Sequence, residues 1–189
     1  KKIKLGKIKK PKSKTILFVG RLTKQKNLEM LINSFYQSKL HTKSFKLIII
    51  GDGKKKKELI NLSIKLGIEK HVKFLGYKKD VNKYYYNAKL FILSSIYEGL
   101  GNVLIDALNF NVPCIATDCK SGPREILCYG KGGILIKNKE TKLLTKAILY
   151  SINNYDLSLK KMSYGKKHLK RFYISSQSKI YFDTLDKLL

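Results

Sequence analysis

Two carboxylates, Glu98 and Asp106, stand eight residues apart around a glycine-flanked turn in the stretch Ser95-Ile96-Tyr97-Glu98-Gly99-Leu100-Gly101-Asn102-Val103-Leu104-Ile105-Asp106-Ala107-Leu108. Such an arrangement can hold a phosphorylated sugar. Glu98 follows Leu90-Phe91-Ile92-Leu93, an apolar run with the pattern of a buried strand. That places it at a strand's carboxyl end, where open α/β sheets bind ligands. Gly99 and Gly101 let the backbone come close to a ligand, with Leu100 between them. A helix opening near Asn102 would aim unpaired N–H groups and its positive dipole end at the same spot, which suits a diphosphate. Asp106 interrupts the apolar run from Val103 to Leu108 and shares a helical face with Asn102 and Asn109. A narrow polar stripe on a surface helix would read the same way.

A second cluster favours the ligand reading. In Phe18-Val19-Gly20-Arg21-Leu22-Thr23-Lys24-Gln25-Lys26-Asn27 a β-type run breaks at Gly20, and two cations follow at a spacing of five. Helix-period apolar residues resume at Leu28, Leu31, Ile32 and Phe35. The chain has three arginines against thirty-seven lysines, so an arginine stands out as a position that needs a planar fork. Arg21 can grip phosphate oxygens bidentately while Lys26 adds a compact point charge. Solvated cations on a lysine-rich loop are the competing explanation, a better one for Lys24 than for Arg21.

Taken in order, these motifs resemble a known family. Gly-Arg-Leu with a lysine five residues after the arginine, Gly51-Asp52-Gly53 after a strand, and Glu-Gly-Leu-Gly-Asn with an acid eight residues after the Glu are similar to the donor-binding half of family 4 retaining glycosyltransferases. That resemblance runs from about Thr15 to Ile136 and implies one half of a GT-B fold. Thr117 to Leu127 is similar to members that build bacterial surface polysaccharides and lipid-linked oligosaccharides, often from UDP-sugars. By resemblance, Arg21 and Lys26 hold the donor diphosphate and Glu98 contacts the transferred sugar. Gly99, Leu100, Gly101 and Asn102 offer backbone amides to the distal phosphate, and Asp106 binds the ribose hydroxyls. The family has Glu at this last position, so the acid here is one methylene shorter. Gly51-Asp52-Gly53 is either a plain strand-to-helix turn or, at the same crevice as Gly20, a place where the donor lies close to the backbone, and by resemblance Gly76 and Tyr77 occupy the position where the family's backbone meets the base. The implied substrates are a nucleotide-sugar donor and a glycan or polyprenol-linked acceptor. Noncatalytic phosphate-binding Rossmann modules and basic nucleic-acid-binding proteins remain as other classes.

No metal or other cofactor is expected. Cations and helix-end amides aimed at a departing nucleoside diphosphate stabilise the charge that develops there. His41, His71 and His168 are scattered, and Cys114, Cys119 and Cys128 match no zinc or redox spacing. Three unpatterned cysteines suit reduced thiols in a cytoplasmic compartment. Gly122 and Pro123 fix a turn before Arg124-Glu125, and Arg124, another of the three arginines, either pairs with a carboxylate or reaches the donor sugar.

The elements that must position these residues alternate. Strands are expected at Thr15 to Val19, Lys46 to Ile50, Val72 to Leu75, Leu90 to Leu93, Pro113 to Ala116 and Gly133 to Ile136. Helices are expected at Leu28 to Lys39, Lys55 to Leu66, Val81 to Tyr85, Val103 to Phe110, Lys142 to Ile152, Leu159 to Arg171 and Ser175 to Leu188. This is a Rossmann-like, mostly parallel six-stranded sheet with helices on both faces and a helical tail from about residue 140. The 189 residues suit one packed core. Lys1 to Lys14, with eight lysines and a proline, reads as an interdomain linker, and residues 15–189 as the donor domain. The acceptor half of a GT-B enzyme would then be a partner supplied from outside this segment. Neither a secretory signal nor a membrane-spanning run is visible. The net charge of +27 reflects a lysine-heavy composition or draws the protein to an anionic membrane surface, which would make it peripheral at the inner face. Nucleic acid is not expected as a partner, because arginine is rare and stacking motifs are absent.

Overall fold

The computed structural model describes residues 13–119, 121–137 and 140–186. Most of the expected linker, and Lys187 and Leu188 of the expected last helix, lie outside the described residues. Six parallel strands form one sheet in the order β3-β2-β1-β4-β5-β6. They are β1 (Thr15–Val19), β2 (Lys46–Ile50), β3 (Val72–Phe74), β4 (Leu90–Leu93), β5 (Cys114–Thr117) and β6 (Ile134–Ile136). Register is set at the centre by Thr15 opposite Lys46 and Val19 opposite Ile50, and by Ile16 opposite Leu90. Every residue of β4 and β5 is buried. Helices therefore cover both faces, and the strands read as unbroken apolar runs instead of alternating ones. Phe18, Phe91, Ile92 and Ile115 are fully shielded at the centre of this core, and each such side chain contributes about 1.5–3 kcal/mol of burial.

The helices are α1 (Leu28–Gln37), α2 (Lys56–Lys65), α3 (Asn82–Tyr86), α4 (Asn102–Asn109), α5 (Pro123–Ile126), α6 (Thr141–Asn153), α7 (Tyr155–Lys167) and α8 (Ile174–Leu185). On one face α1 packs between α2 and α6, while α4 packs on α7 on the other. Helix α1 buries Leu28, Leu31, Ile32 and Phe35, the helical spacing seen in the sequence. Leu28 follows a single 3₁₀ turn, Lys24–Lys26, which ends at Asn27 in a left-handed conformation.

The strand and helix order agrees with the expectation, with three differences. Helix α5 is an element the sequence reading treats as a turn. Gly122-Pro123 starts it, and proline at the first helical position is preorganised for a helix. Helix α7 begins at Tyr155, four residues before the expected Leu159, because Asn154 leaves the helical region (φ −111°, ψ 51°) and the next residue is buried. The same stretch ends earlier too, at Lys167, where a 3₁₀ turn over Leu169–Phe172 leads to α8. Of the three adjacent tyrosines at 84–86, Tyr85 is core: its ring stacks on Phe110 and its hydroxyl donates to the Val103 carbonyl at 3.3 Å. No helix among the described residues is long and apolar enough to cross a membrane.

Candidate functional site

The strand order reverses direction between β1 and β4. From β1 the chain moves outward through β2 and β3; from β4 it moves the other way through β5 and β6. Loops leaving the carboxyl ends of these two central strands part to opposite faces and open a crevice, the usual ligand site of open α/β sheets. Gly20 to Lys26 leaves β1 and Ser94 to Gly101 leaves β4, so the two motifs singled out in the sequence meet here.

They meet through a salt bridge. Lys26 Nζ lies 2.5 Å from Glu98 Oε1, with side-chain exposures of 13% and 7%. The same oxygen accepts a hydrogen bond from the Ser95 hydroxyl. Further bonds bind the two loops: Ile96 N–H donates to the Gln25 carbonyl (2.8 Å), Gln25 Nε2 to the Tyr97 carbonyl (2.9 Å), and Ser94 Oγ to the Lys26 carbonyl (2.8 Å). Seventy-two positions separate Lys26 from Glu98, and nothing in the spacing of either motif signals that the two would pair. Only the sheet order brings them together.

The loop after Glu98 turns into α4 at Gly101, in a left-handed conformation (φ 82°, ψ 49°), and the Leu104 N–H donates to its carbonyl at 2.9 Å. The first turn of an α-helix has N–H groups without intrahelical acceptors, and the dipole favours an anion there. A second loop backs this one. Ser121 Oγ donates to the Glu98 carbonyl at 2.9 Å, and a Cβ on Gly122 would stand 2.3 Å from the carbonyl oxygens of both Gly99 and Leu100. Gly122 is therefore glycine because two peptide groups of the Glu98 loop occupy the space of a side chain. Deeper, the Thr117 hydroxyl and Cys119 Sγ both donate to the Ser95 carbonyl.

Arg21 is exposed and lines a concavity of 300 Å³ with Gly20, Gly51, Asp52, Tyr77 and Val81. Among the described residues its guanidinium has no hydrogen-bond or ion-pair partner. The Gly51 N–H donates to the Gly76 carbonyl (2.9 Å) and the Gly20 N–H to the Ile50 carbonyl (2.9 Å), so the turns after β1, β2 and β3 are stitched side by side. Gly51 has a reason of its own to be glycine. At φ 131° its Cβ would fall 1.9 Å from the Gly20 carbonyl oxygen, so the close approach it permits is to its neighbouring turn. Tyr77 is 76% exposed at the rim.

Asp106 is exposed on α4, where desolvation nevertheless raises its carboxyl above the ordinary range. Its charge bears on the Tyr85 hydroxyl, which puts it beside α3, the helix that follows Val81 of the concavity. Arg124 takes the structural role. Its Nε and Nη2 donate to the two oxygens of Asp118, both at 2.8 Å, and this fork holds the Asp118 carboxyl below the usual carboxylate range. No three His, Cys, Asp or Glu side chains cluster in a metal-holding arrangement among the described residues. The three cysteines are buried and unpaired, and burial pushes the Cys114 thiol well up.

Residues 1–168 match the family described as glycosyl transferases group 1. An uncharacterized glycosyltransferase of Methanocaldococcus jannaschii is 38% identical over 185 residues, covering 82% of this chain and 45% of that protein. A Campylobacter jejuni protein named as an N-acetylgalactosamine-N,N'-diacetylbacillosaminyl-diphospho-undecaprenol 4-alpha-N-acetylgalactosaminyltransferase is 38% identical over 126 residues, covering 67% of this chain and 34% of that one. The chain thus spans less than half the length of these curated relatives. Among solved structures, a TarM mutant of S. aureus in complex with fondaparinux, alpha-GlcNAc-glycerol and UDP superposes with a TM-score of 0.81 at 25% identity, over 90% of this chain and 34% of that one.

Proposed function

The chain belongs to the group 1 glycosyl transferases, and from that premise we propose that it is the donor-binding half of a retaining, metal-independent hexosyltransferase. In this reading it takes a UDP-sugar and serves transfer to a glycan or polyprenol-linked acceptor. One observation carries it: the part-buried Lys26–Glu98 pair sits at the switch point between β1 and β4, beside the start of α4. A cation, an acid and a helix N-terminus converge there, one set for the diphosphate and one for the sugar. UDP bound to a structural neighbour and the diphospho-undecaprenol in the name of a relative support the donor and acceptor classes.

Breaking the bond between anomeric carbon and phosphate leaves added negative charge on the nucleoside diphosphate. Arg21, Lys26 and the first-turn amides of α4 face that charge, so they stabilise the transition state more than the bound ground state. Arg21 brings a fork without a protein partner among the described residues, and Lys26 a single charge. Glu98 accepts hydrogen bonds from sugar hydroxyls, Asp106 from the ribose, and the concavity by Gly51, Gly76 and Tyr77 takes the base.

Thermal unfolding and calorimetry test this. UDP should raise the melting temperature with EDTA present, because a ligand that binds only the native state stabilises it. Glu98→Gln should weaken a UDP-sugar while sparing UDP, whereas Asp106→Asn should weaken both. Unchanged melting in millimolar UDP, or one ligand profile for both variants, would overturn the reading.

A further inference from the structure

Glu98 is held by two anchors on one carboxylate oxygen, and the two differ in kind. Lys26 is long and charged. Its single ammonium is also assigned to the diphosphate, so a bound donor competes with Glu98 for it. Ser95 is short, neutral and fully buried, and its hydroxyl donates to the same Oε1. Its backbone is fixed as well, since Thr117 Oγ1 and Cys119 Sγ both donate to its carbonyl. It is the second residue after β4 and three before Glu98, and β4 itself is paired with β5 as far as Leu93.

We propose that Ser95 is the positioning residue of the donor-sugar site. Its hydroxyl keeps the Glu98 carboxylate in place when Lys26 turns to the diphosphate, so that the second carboxylate oxygen meets the sugar hydroxyls already oriented. This rests on the nucleotide-sugar reading above. Without the hydroxyl, Glu98 would lose its neutral anchor at the moment its charged one is drawn away, and the sugar would meet a carboxylate free to rotate. The diphosphate contacts, made by Arg21, Lys26 and the α4 amides, need no help from Ser95.

The test compares UDP with UDP-glucose, UDP-galactose and their N-acetylhexosamine counterparts by calorimetry, on wild type and Ser95→Ala. Wild type should bind one of the UDP-sugars more tightly than UDP. Ser95→Ala should bind UDP within about twofold of wild type and cut the gain due to the sugar by about tenfold, as expected for losing a hydrogen bond to a charged group. General damage to the fold would lower both affinities together, so the selective loss marks a positioning role. Should Ser95→Ala not fold, Ser95→Cys carries the same comparison, being close in size and a weaker donor. An unchanged sugar gain in the variant overturns the proposal, as does a wild type in which no sugar adds to UDP affinity. Wild type that binds no UDP at all would instead remove the nucleotide-sugar reading on which it stands.

Discussion

Arg21 and Lys26 carry the same charge and are held in opposite ways. Lys26 is nearly buried against Glu98, while Arg21 stands at the rim of the concavity with its fork turned to no protein acceptor among the described residues. In a chain this poor in arginine, Arg124 and Arg21 divide the two uses of a guanidinium. The first grips Asp118 with two bonds of 2.8 Å and braces the turn before α5; the second has no such partner among the described residues, and the proposed function turns it to the diphosphate. Arg21→Lys keeps the charge and loses the planar fork, so UDP affinity should fall by an amount worth about 1–3 kcal/mol while the melting temperature without ligand stays put. Calorimetry with UDP reads the first and thermal unfolding the second. Equal affinity would show that Arg21 meets phosphate as a point charge only. The rarity of arginine made this residue visible in the sequence, whereas Ser95 had no such mark: a serine after an apolar run is common, and its role depends on where the Glu98 side chain folds back.

Among the elements, the ones read best from sequence are those governed by local pattern. Strands β1, β2 and β4 begin and end at the residues expected from the sequence, because the short, mostly buried runs that form them stand out from the segments on either side. What the sequence concealed is set by contacts across the sheet. Helix α5 is four residues long, too short for any periodicity, and it is there because Gly122 and Pro123 fit against the Glu98 loop. The Glu98 loop is thus moulded from behind by another loop twenty-three residues on. Gly122→Ala tests this. The residue holds φ 73° and ψ −82°, which L-residues rarely adopt, and the new methyl would overlap two carbonyl oxygens. Backbone strain and overpacking together should cost on the order of 3 kcal/mol, and UDP binding should weaken beyond the loss expected for Ser95→Ala. Urea unfolding and calorimetry measure the two. A variant with wild-type stability and UDP affinity would mean the two loops are independent.

At the scale of the whole molecule the net charge is +27, and among the described residues the exposed lysines are spread over several elements. Exposed lysines occur on α2 (Lys57, Lys65), on β3 (Lys73), in the following loop (Lys78, Lys79) and on α7 and beyond it (Lys160, Lys167, Lys170). Charge spread in this way gives attraction that is broad, weak and easily screened, since the screening length shrinks from about 10 Å at 0.1 M salt to about 3 Å at 1 M. Sedimentation with anionic phospholipid vesicles should therefore show binding at low salt that disappears by about 0.5 M, with none to zwitterionic vesicles. Retention at high salt would point to a focused patch or an apolar anchor. Inside the crevice the accounting differs, because Lys26 arrives already matched by Glu98 at 2.5 Å. A solitary inorganic phosphate ion must displace that carboxylate before it gains anything from the lysine, and it has no base or ribose with which to offset the loss. A nucleoside diphosphate brings both. On the donor-binding reading proposed above, the internal pair is an entry threshold at Lys26 alone, one that a small anion crosses only by displacing Glu98.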